Sequence, residues 1–351
     1  MQSNGSPSFA ESEGPTSELP LDPPNPASQI SSLSFSHNHI ISGNETGVFS
    51  AYDIQTGTPI CSYNFHQGPI TSISSTVNNI VVTGGLDGRL QVYNFNTNQL
   101  NASFNENKNA ITNIILNNTH KVFMSSSLDG TVKVFNIDKT QNVSTIRDVS
   151  PVTAFNWLNS LCVTGNQNGE ISIYDVNTSQ SIYKKKIFGT QRPNAISNIS
   201  TILIDMDSGL IVSSSKTESL LNVIDMRMTQ SILNSSFNKG SINYLGCDSK
   251  SGYIVIGGSD NLLKVIDVKK GFKEIASMKT SSKIVCGDIG NKFVCVGCED
   301  GTLMGYELNG MKCNFGYSCD DRGKVRQCKI INHSDMIITG GDEGIVKELQ
   351  F

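Results

Sequence analysis

Eight hairpin turns recur along the chain at a nearly constant spacing, and this constrains the fold more tightly than anything else in the sequence. Two copies are almost one phrase: GGLDGRLQVYNF at 84–95 and SSLDGTVKVFNI at 126–137. Looser copies are GNETGVFSAYDI (43–54), GNQNGEISIYDV (165–176) and GCEDGTLMGYEL (297–308). The turn residues are Gly47, Gly88, Gly130, Gly169, Ser219, Asn261, Gly301 and Gly344, separated by 41, 42, 39, 50, 42, 40 and 43 residues. Asp-Gly and Asn-Gly suit a tight hairpin because glycine takes φ > 0 without steric cost. A fixed period of this length means that one supersecondary unit is repeated.

Each unit carries further regularities. Five residues after the turn stands a large side chain, and an acid or its amide follows, as in Tyr52-Asp53, Tyr93-Asn94, Phe135-Asn136 and Tyr174-Asp175. A strand precedes each hairpin, with apolar residues at relative positions 0, 3 and usually 5; Ile30, Leu33 and Phe35 are one set. This spacing breaks strict alternation, and a bulge near the strand start reconciles it. A fourth strand follows every hairpin except the last, for example TPICSYNF at 58–65. No helical period appears. Four-stranded units of about 40–45 residues match the blade of a β-propeller. One blade cannot bury both its faces alone, whereas blades stacked around an axis bury them against each other.

The repeat resembles the WD40 family over about residues 25–351, with a degenerate Trp-Asp signature best kept in Tyr52-Asp53 and Tyr174-Asp175. The resemblance implies a hydrogen-bond network in the second unit among His66, Thr83, Asp87 and Tyr93, and other units held mostly by packing. The expected fold class is therefore all-β: a WD40-like β-propeller of eight four-stranded blades. Seven blades is the alternative, with the first or the irregular fifth unit outside the ring. The eighth unit stops after three strands, so an N-terminal segment within SELPL (17–21) is expected to add its outer strand and close the ring. Residues 1–16 read as a disordered acidic, Ser/Pro-rich leader, and residues 17–351 as a single propeller domain.

The formal net charge is −4. It provides no global basic field, so direct nucleic-acid binding is not expected. No signal peptide and no stretch approaching a membrane helix is legible, and the expected localisation is cytoplasmic and/or nuclear. Nine cysteines, seven of them after residue 240, are expected as buried free thiols.

An enzyme needs converging groups, and the five histidines, His37, His39, His66, His120 and His333, are scattered. Cys295 and Cys298 form a C-x-x-C within a strand, where residues three apart face opposite sides, so packing is the expected role. The GG pairs at 84–85, 257–258 and 340–341 end strands and meet no helix N-terminus, which removes the phosphate-loop reading. No cofactor motif is present. Trp157 falls in an inter-blade core slot. Lys184-Lys185-Lys186 lies on an outer strand as a solvated edge, or as a contact for an acidic partner or phospholipid head groups. Asp320 falls in a polar link and is expected to matter less than Asp87.

These readings imply a non-enzymatic interaction scaffold or adaptor that presents propeller faces to peptides or subunits of a multiprotein complex. LDPPNPASQISSLSFS (21–36) and GGLDG also resemble the mitotic-checkpoint and mRNA-export propellers, which are seven-bladed adaptors for a partner peptide. The partner-binding candidates are Arg192, Lys239, Arg322 and Arg326, each close before, or at the start of, a predicted inner strand. Arginine is favoured at interface hot spots.

Overall fold

A computed structural model describes residues 19–21 and 28–350, apart from 37, 118–120, 190–196, 206, 216, 291–292, 309, 311, 322 and 332–335. The leader 1–16 lies outside the described residues. Eight four-stranded antiparallel sheets form the eight blades of a β-propeller. Seven blades take their strands in chain order, beginning with Ile30–Phe35, His39–Asn44, Val48–Asp53 and Pro59–Asn64 in blade 1. The first and fifth units both stand in the ring. The eighth blade makes this ring larger than the seven-bladed mRNA-export resemblance implied.

The last blade joins the two ends of the chain. Its inner strands are Val325–Ile331, Met336–Gly341 and Val346–Gln350, and its outer strand is Leu19–Leu21. Leu19 pairs with Glu348 and Leu21 with Val346. Pro20 fits there because an edge strand needs no donor on its free side. The inner strand Val325–Ile331 meets Ile30–Phe35 of blade 1, and the ring closes.

The irregular apolar spacing has the expected cause. Every inner strand shifts register between its first and third residues, at Ile30/Ser32, Ile70/Ser72 and Val325/Gln327 among others. The bulge frees the second residue to reach the next blade. Ser31 donates to the Ile70 carbonyl at 2.7 Å, Thr71 to Ile111 at 2.7 Å, Thr153 to Ile199 at 2.7 Å and Asn243 to Ile284 at 2.8 Å.

The large-residue-plus-acid pair also acquires a physical meaning. A second bulge places Tyr52, Tyr93, Phe135 and Tyr174 at a register shift against the outer strand. The large ring enters the core, and the following acid or amide caps the next turn. Asp53 Oδ1 accepts the Gln55 and Thr56 amides at 2.9 Å, and Asp175 Oδ1 accepts Asn177 at 2.8 Å and Thr178 at 2.9 Å. An amide does the same, since Asn94 accepts Asn96. This is why the second letter of the pair tolerates Asp or Asn.

Eight apolar clusters fill the space between blades, each drawing on two neighbours. Ile41 and Phe49 of blade 1 meet Val81 and Tyr93 of blade 2. Ile30 and Tyr52 of blade 1 meet Ile338 and Val346 of blade 8. The core is thus a ring of interfaces with no single centre.

Candidate functional site

One face of the ring carries both the hairpin turns and the links that lead from an outer strand into the next inner strand. The hairpin glycines adopt positive φ, 75° at Gly88 and 82° at Gly301, and Ser219 and Asn261 reach 56° and 59° in the same slot. A Cβ at Gly88 would lie 2.9 Å from the carbonyl oxygens of Asn107 and Asn109, so the link itself crowds the turn.

The turn acids hold these links. His66 Nδ1 lies 3.0 Å from Asp87 Oδ1 and Nε2 lies 2.8 Å from Thr83 Oγ1. A carboxylate only accepts, so Nδ1 carries the proton and Nε2 accepts from the threonine. Burial pulls the His66 pKa below its ordinary 6.5, although Asp87 opposes this. Burial alone would raise the Asp87 carboxyl. The Gln67 and Arg89 amides and the His66 ring outweigh it and hold that carboxyl low. Tyr93 stands apart from this cluster, its hydroxyl donating to Asn98 Oδ1.

The other blades, expected to be held mostly by packing, build equivalents with different residues. Asp148 accepts from Thr164 at 2.7 Å and Asn166 at 2.9 Å. Asn238 donates to Asp260 at 3.1 Å. Asp129 accepts the Lys108 amide at 2.9 Å. In the irregular fifth blade, Glu218 Oε1 accepts both the Gly189 amide (2.6 Å) and the Ser197 hydroxyl (2.7 Å), pinning the two ends of the longer link. Asp320 belongs to the same series: it is buried at 3% exposure and accepts the Glu343 amide at 3.0 Å. The polar link in which Asp320 was expected to matter less than Asp87 thus holds a buried, hydrogen-bonded carboxylate. A sequence reading keyed to His-Asp pairs misses these groups, and the signal that finds them is a polar residue 21 to 24 positions before each turn residue.

The partner-binding candidates fall differently. Arg192 and Arg322 lie outside the described residues. Lys239 is exposed on the link before blade 6, and its backbone amide donates to Asp260. Arg326 is a clasp across the seam. Its guanidinium meets Asp342 of its own blade, Glu45 at 2.7 Å and Gln29. Trp157 packs partly buried against the core between blades 3 and 4 and donates to the Asn159 carbonyl. Cys295 and Cys298 are both buried and belong to the cores on opposite sides of blade 7.

The central channel widens into a cavity of about 520 Å³ lined by the inner strands of blades 4 to 8. Its wall mixes Asn156, Thr201 and Asn243 with Asp288, Arg326, Gln327 and Lys329. Lys329 Nζ lies 3.5 Å from Asp288 Oδ1. The lysine side chain is 38% exposed; partial burial would lower its pKa, but the aspartate and neighbouring thiols hold it above the ordinary value. Tyr244 also lines the cavity, and its buried hydroxyl has no hydrogen-bond partner among the described residues. Among the described residues, no group of three or more His, Cys, Asp or Glu side chains is placed to hold a metal ion.

Fold and repeat define an eight-bladed β-propeller. The family model "WD domain, G-beta repeat" matches residues 57–94 and 98–136. Each match begins near an outer strand and ends on the large-residue pair of the next blade, so the repeat is staggered against the blade. The same stagger is what places Leu19–Leu21 beside the last three strands. Among solved structures, Saccharomyces cerevisiae Sqt1 aligns with TM-score 0.83 at 13% identity, covering 96% of this chain and 99% of that one. The computationally designed Ika8 protein aligns with TM-score 0.81 at 23% identity, covering 93% and 97%. Chaetomium thermophilum Sqt1, solved bound to the N-terminus of the ribosomal protein L10, aligns with TM-score 0.79 at 16% identity, covering 92% and 97%. A probable inactive protein kinase of Dictyostelium discoideum is 23% identical over 185 residues, 47% of this chain. The chain spans 14% of the length of that protein.

Proposed function

We propose that this protein is a non-enzymatic interaction adaptor. It receives a segment of a partner protein in the central channel, entered from the face built from hairpin turns and links. The observation that carries this reading is the channel cavity. It is lined by five successive inner strands and offers Asp288, Lys329 and Gln327 together with carbonyl and amide side chains. A rigid ring holding charges of both signs around a concavity suits recognition of an extended polar segment. A similarly folded protein bound to a peptide from a ribosomal protein is consistent with it. Lys239 stands on the same face as a rim contact, where a charge acts mainly on the rate of encounter.

The test uses the tagged full chain and the variants Lys239→Glu and Lys329→Glu, alone and together. Proteins that co-purify with the parent should be lost from the double variant by at least about tenfold, a change of about 1.4 kcal/mol, while circular dichroism shows each variant folded at the assay temperature. If the double variant keeps every partner while Arg192→Glu with Arg322→Glu loses them, the channel is not the site. If all variants keep them, the face itself is wrong.

A further inference from the structure

Three of the nine cysteines meet at one point, and no motif in the sequence announces it. Cys286 belongs to the inner strand of blade 7 (Ile284–Ile289), Cys295 to the strand beside it (Phe293–Cys298), and Cys328 to the inner strand of blade 8 (Val325–Ile331). The Cys286 Sγ lies 3.6 Å from Cys328 Sγ, and Cys295 Sγ lies 3.7 Å from it. All nine cysteines are free thiols. Cys286 is half-buried and lines the channel cavity, while Cys295 and Cys328 lie behind it at 0% and 1% exposure.

Packing alone does not require this choice. The slots equivalent to Cys286 and Cys328 hold Ser32 and Leu33 in blade 1, and Ser72 and Ile73 in blade 2. Only where blades 7 and 8 meet do thiols fill both slots from the two sides. The surroundings favour sulfur chemistry. Both neighbours donate S–H to Cys328, and the Lys329 ammonium adjoins it in sequence while pairing with Asp288 at 3.5 Å. These donors, with the cation a smaller cause, pull the Cys328 thiol below its ordinary pKa; the hydrogen bond to Cys328 raises the Cys286 thiol, and burial raises the Cys295 thiol.

We propose that Cys286 and Cys328 form an oxidation site, which a hydroperoxide entering the channel converts into a disulfide tying blade 7 to blade 8. Loss of one proton from the pair leaves a single thiolate, and the S–H···S contact lets the remaining proton lie on either sulfur. With the proton on Cys328, the Cys286 thiolate faces the cavity and attacks the outer oxygen of the hydroperoxide. The S–O bond forms, the O–O bond breaks, and the departing alkoxide or hydroxide takes the Cys328 proton. The Cys328 thiolate then attacks the Cys286 sulfur. The S–S bond forms, the S–O bond breaks, and hydroxide leaves to become water. Two thiols lose two electrons, and the hydroperoxide is reduced to an alcohol, or to water when hydrogen peroxide is the oxidant. The exchange follows ordinary thiolate and sulfenic-acid reactivity. The sulfurs need to close from 3.6 Å to about 2.05 Å.

The experiment treats the native full chain with graded hydrogen peroxide, blocks the remaining thiols with a maleimide, and maps digests by non-reducing mass spectrometry. Exposed Cys313 and half-buried Cys61 serve as internal comparisons. The expected result is a Cys286–Cys328 cross-linked peptide at peroxide levels that leave Cys313 largely maleimide-labelled. The oxidised protein should melt at a higher temperature, and dithiothreitol should reverse both changes. Cys328→Ser should leave Cys286 as a dimedone-reactive sulfenic acid, whereas Cys295→Ser should still cross-link. Protein unfolded in urea before oxidation should lose the preference. The proposal is overturned if native Cys286 and Cys328 stay reduced while Cys313 is oxidised. A Cys295–Cys328 disulfide or links between chains as the main product would overturn it equally. Should a serine variant fail to fold, the wild-type comparison of native and urea-unfolded chains decides.

Discussion

At residue scale the most informative group is His66, buried neutral between Asp87 and Thr83. Removing the acid strands the ring Nδ1–H and the Gln67 amide together, since Asp87 Oδ2 accepts that amide at 2.9 Å. Asp87→Ala should therefore cost about 1–3 kcal/mol, the range for a broken buried hydrogen-bond network. Asp138→Ala is the comparison, because that side chain is 59% exposed in a surface pair with Lys121; it should move the urea midpoint little. Asp320→Ala should now resemble Asp87→Ala. The histidine also makes stability depend on pH. Its folded pKa lies below the unfolded 6.5, so in that window the unfolded chain binds a proton that the folded chain refuses. Stability is present above the unfolded pKa and is lost as pH falls through 6.5 toward the folded value, by at most about 1.4 kcal/mol per pH unit. His66→Asn, which imitates Asn107 and Asn238 of other blades, should flatten part of that slope. Urea midpoints at about pH 7.5 and about pH 5.5 check it, with His39 common to both proteins.

At element scale, the unit of stability is the bulged inner strand. Its first residue enters the core, in blades 1 to 4 and 6 its second bonds the next blade, and the register shift between the first and third makes both possible. Thr71 illustrates the arrangement, since its hydroxyl reaches Gly84 O at 3.0 Å and Ile111 O at 2.7 Å. Thr71→Val keeps the shape and removes the donor. It should lower stability by about 1–2 kcal/mol, the usual cost of a carbonyl left without its partner. Thr97→Val, on an exposed turn, should be close to silent. Equal melting temperatures for the two variants would mean that apolar packing alone joins the blades.

At the scale of the whole molecule, the seam between blades 8 and 1 decides whether a ring exists. Val346–Gln350 sits between Met336–Gly341 and Leu19–Leu21, and Val346 and Leu349 are 1% and 2% exposed. Deleting residues 346–351 removes two ladders and opens the cluster shared with Ile30 and Tyr52. Deleting residues 1–21 removes one ladder at an edge. Both variants should melt below the parent, the C-terminal deletion further, and gel filtration should show association through the opened faces. A C-terminal deletion that melts like the parent would show that the termini do not interlock. Arg326 crosses the same seam, so charge reversal there should loosen closure before it affects any partner.

The chain by itself determined the repeat, the four-strand unit, the bulge and the stagger that sends an N-terminal strand to the last blade. These follow from local physics: glycine at positive φ, alternation broken at one place, and an acid or amide capping the next turn. Only the tertiary structure decided which polar residues meet across links and blades. Asp148, Glu218 and Asp320 stand in for a histidine-centred network, although each of them is more than 15 residues from the partner it holds. The convergence of Cys286, Cys295 and Cys328 was likewise invisible, because Cys328 belongs to a different blade from the other two. Sequence periodicity reports what each unit does with itself. Closing the ring sets one unit's side chains against the next, and that depends on twist and blade number, which no single repeat encodes.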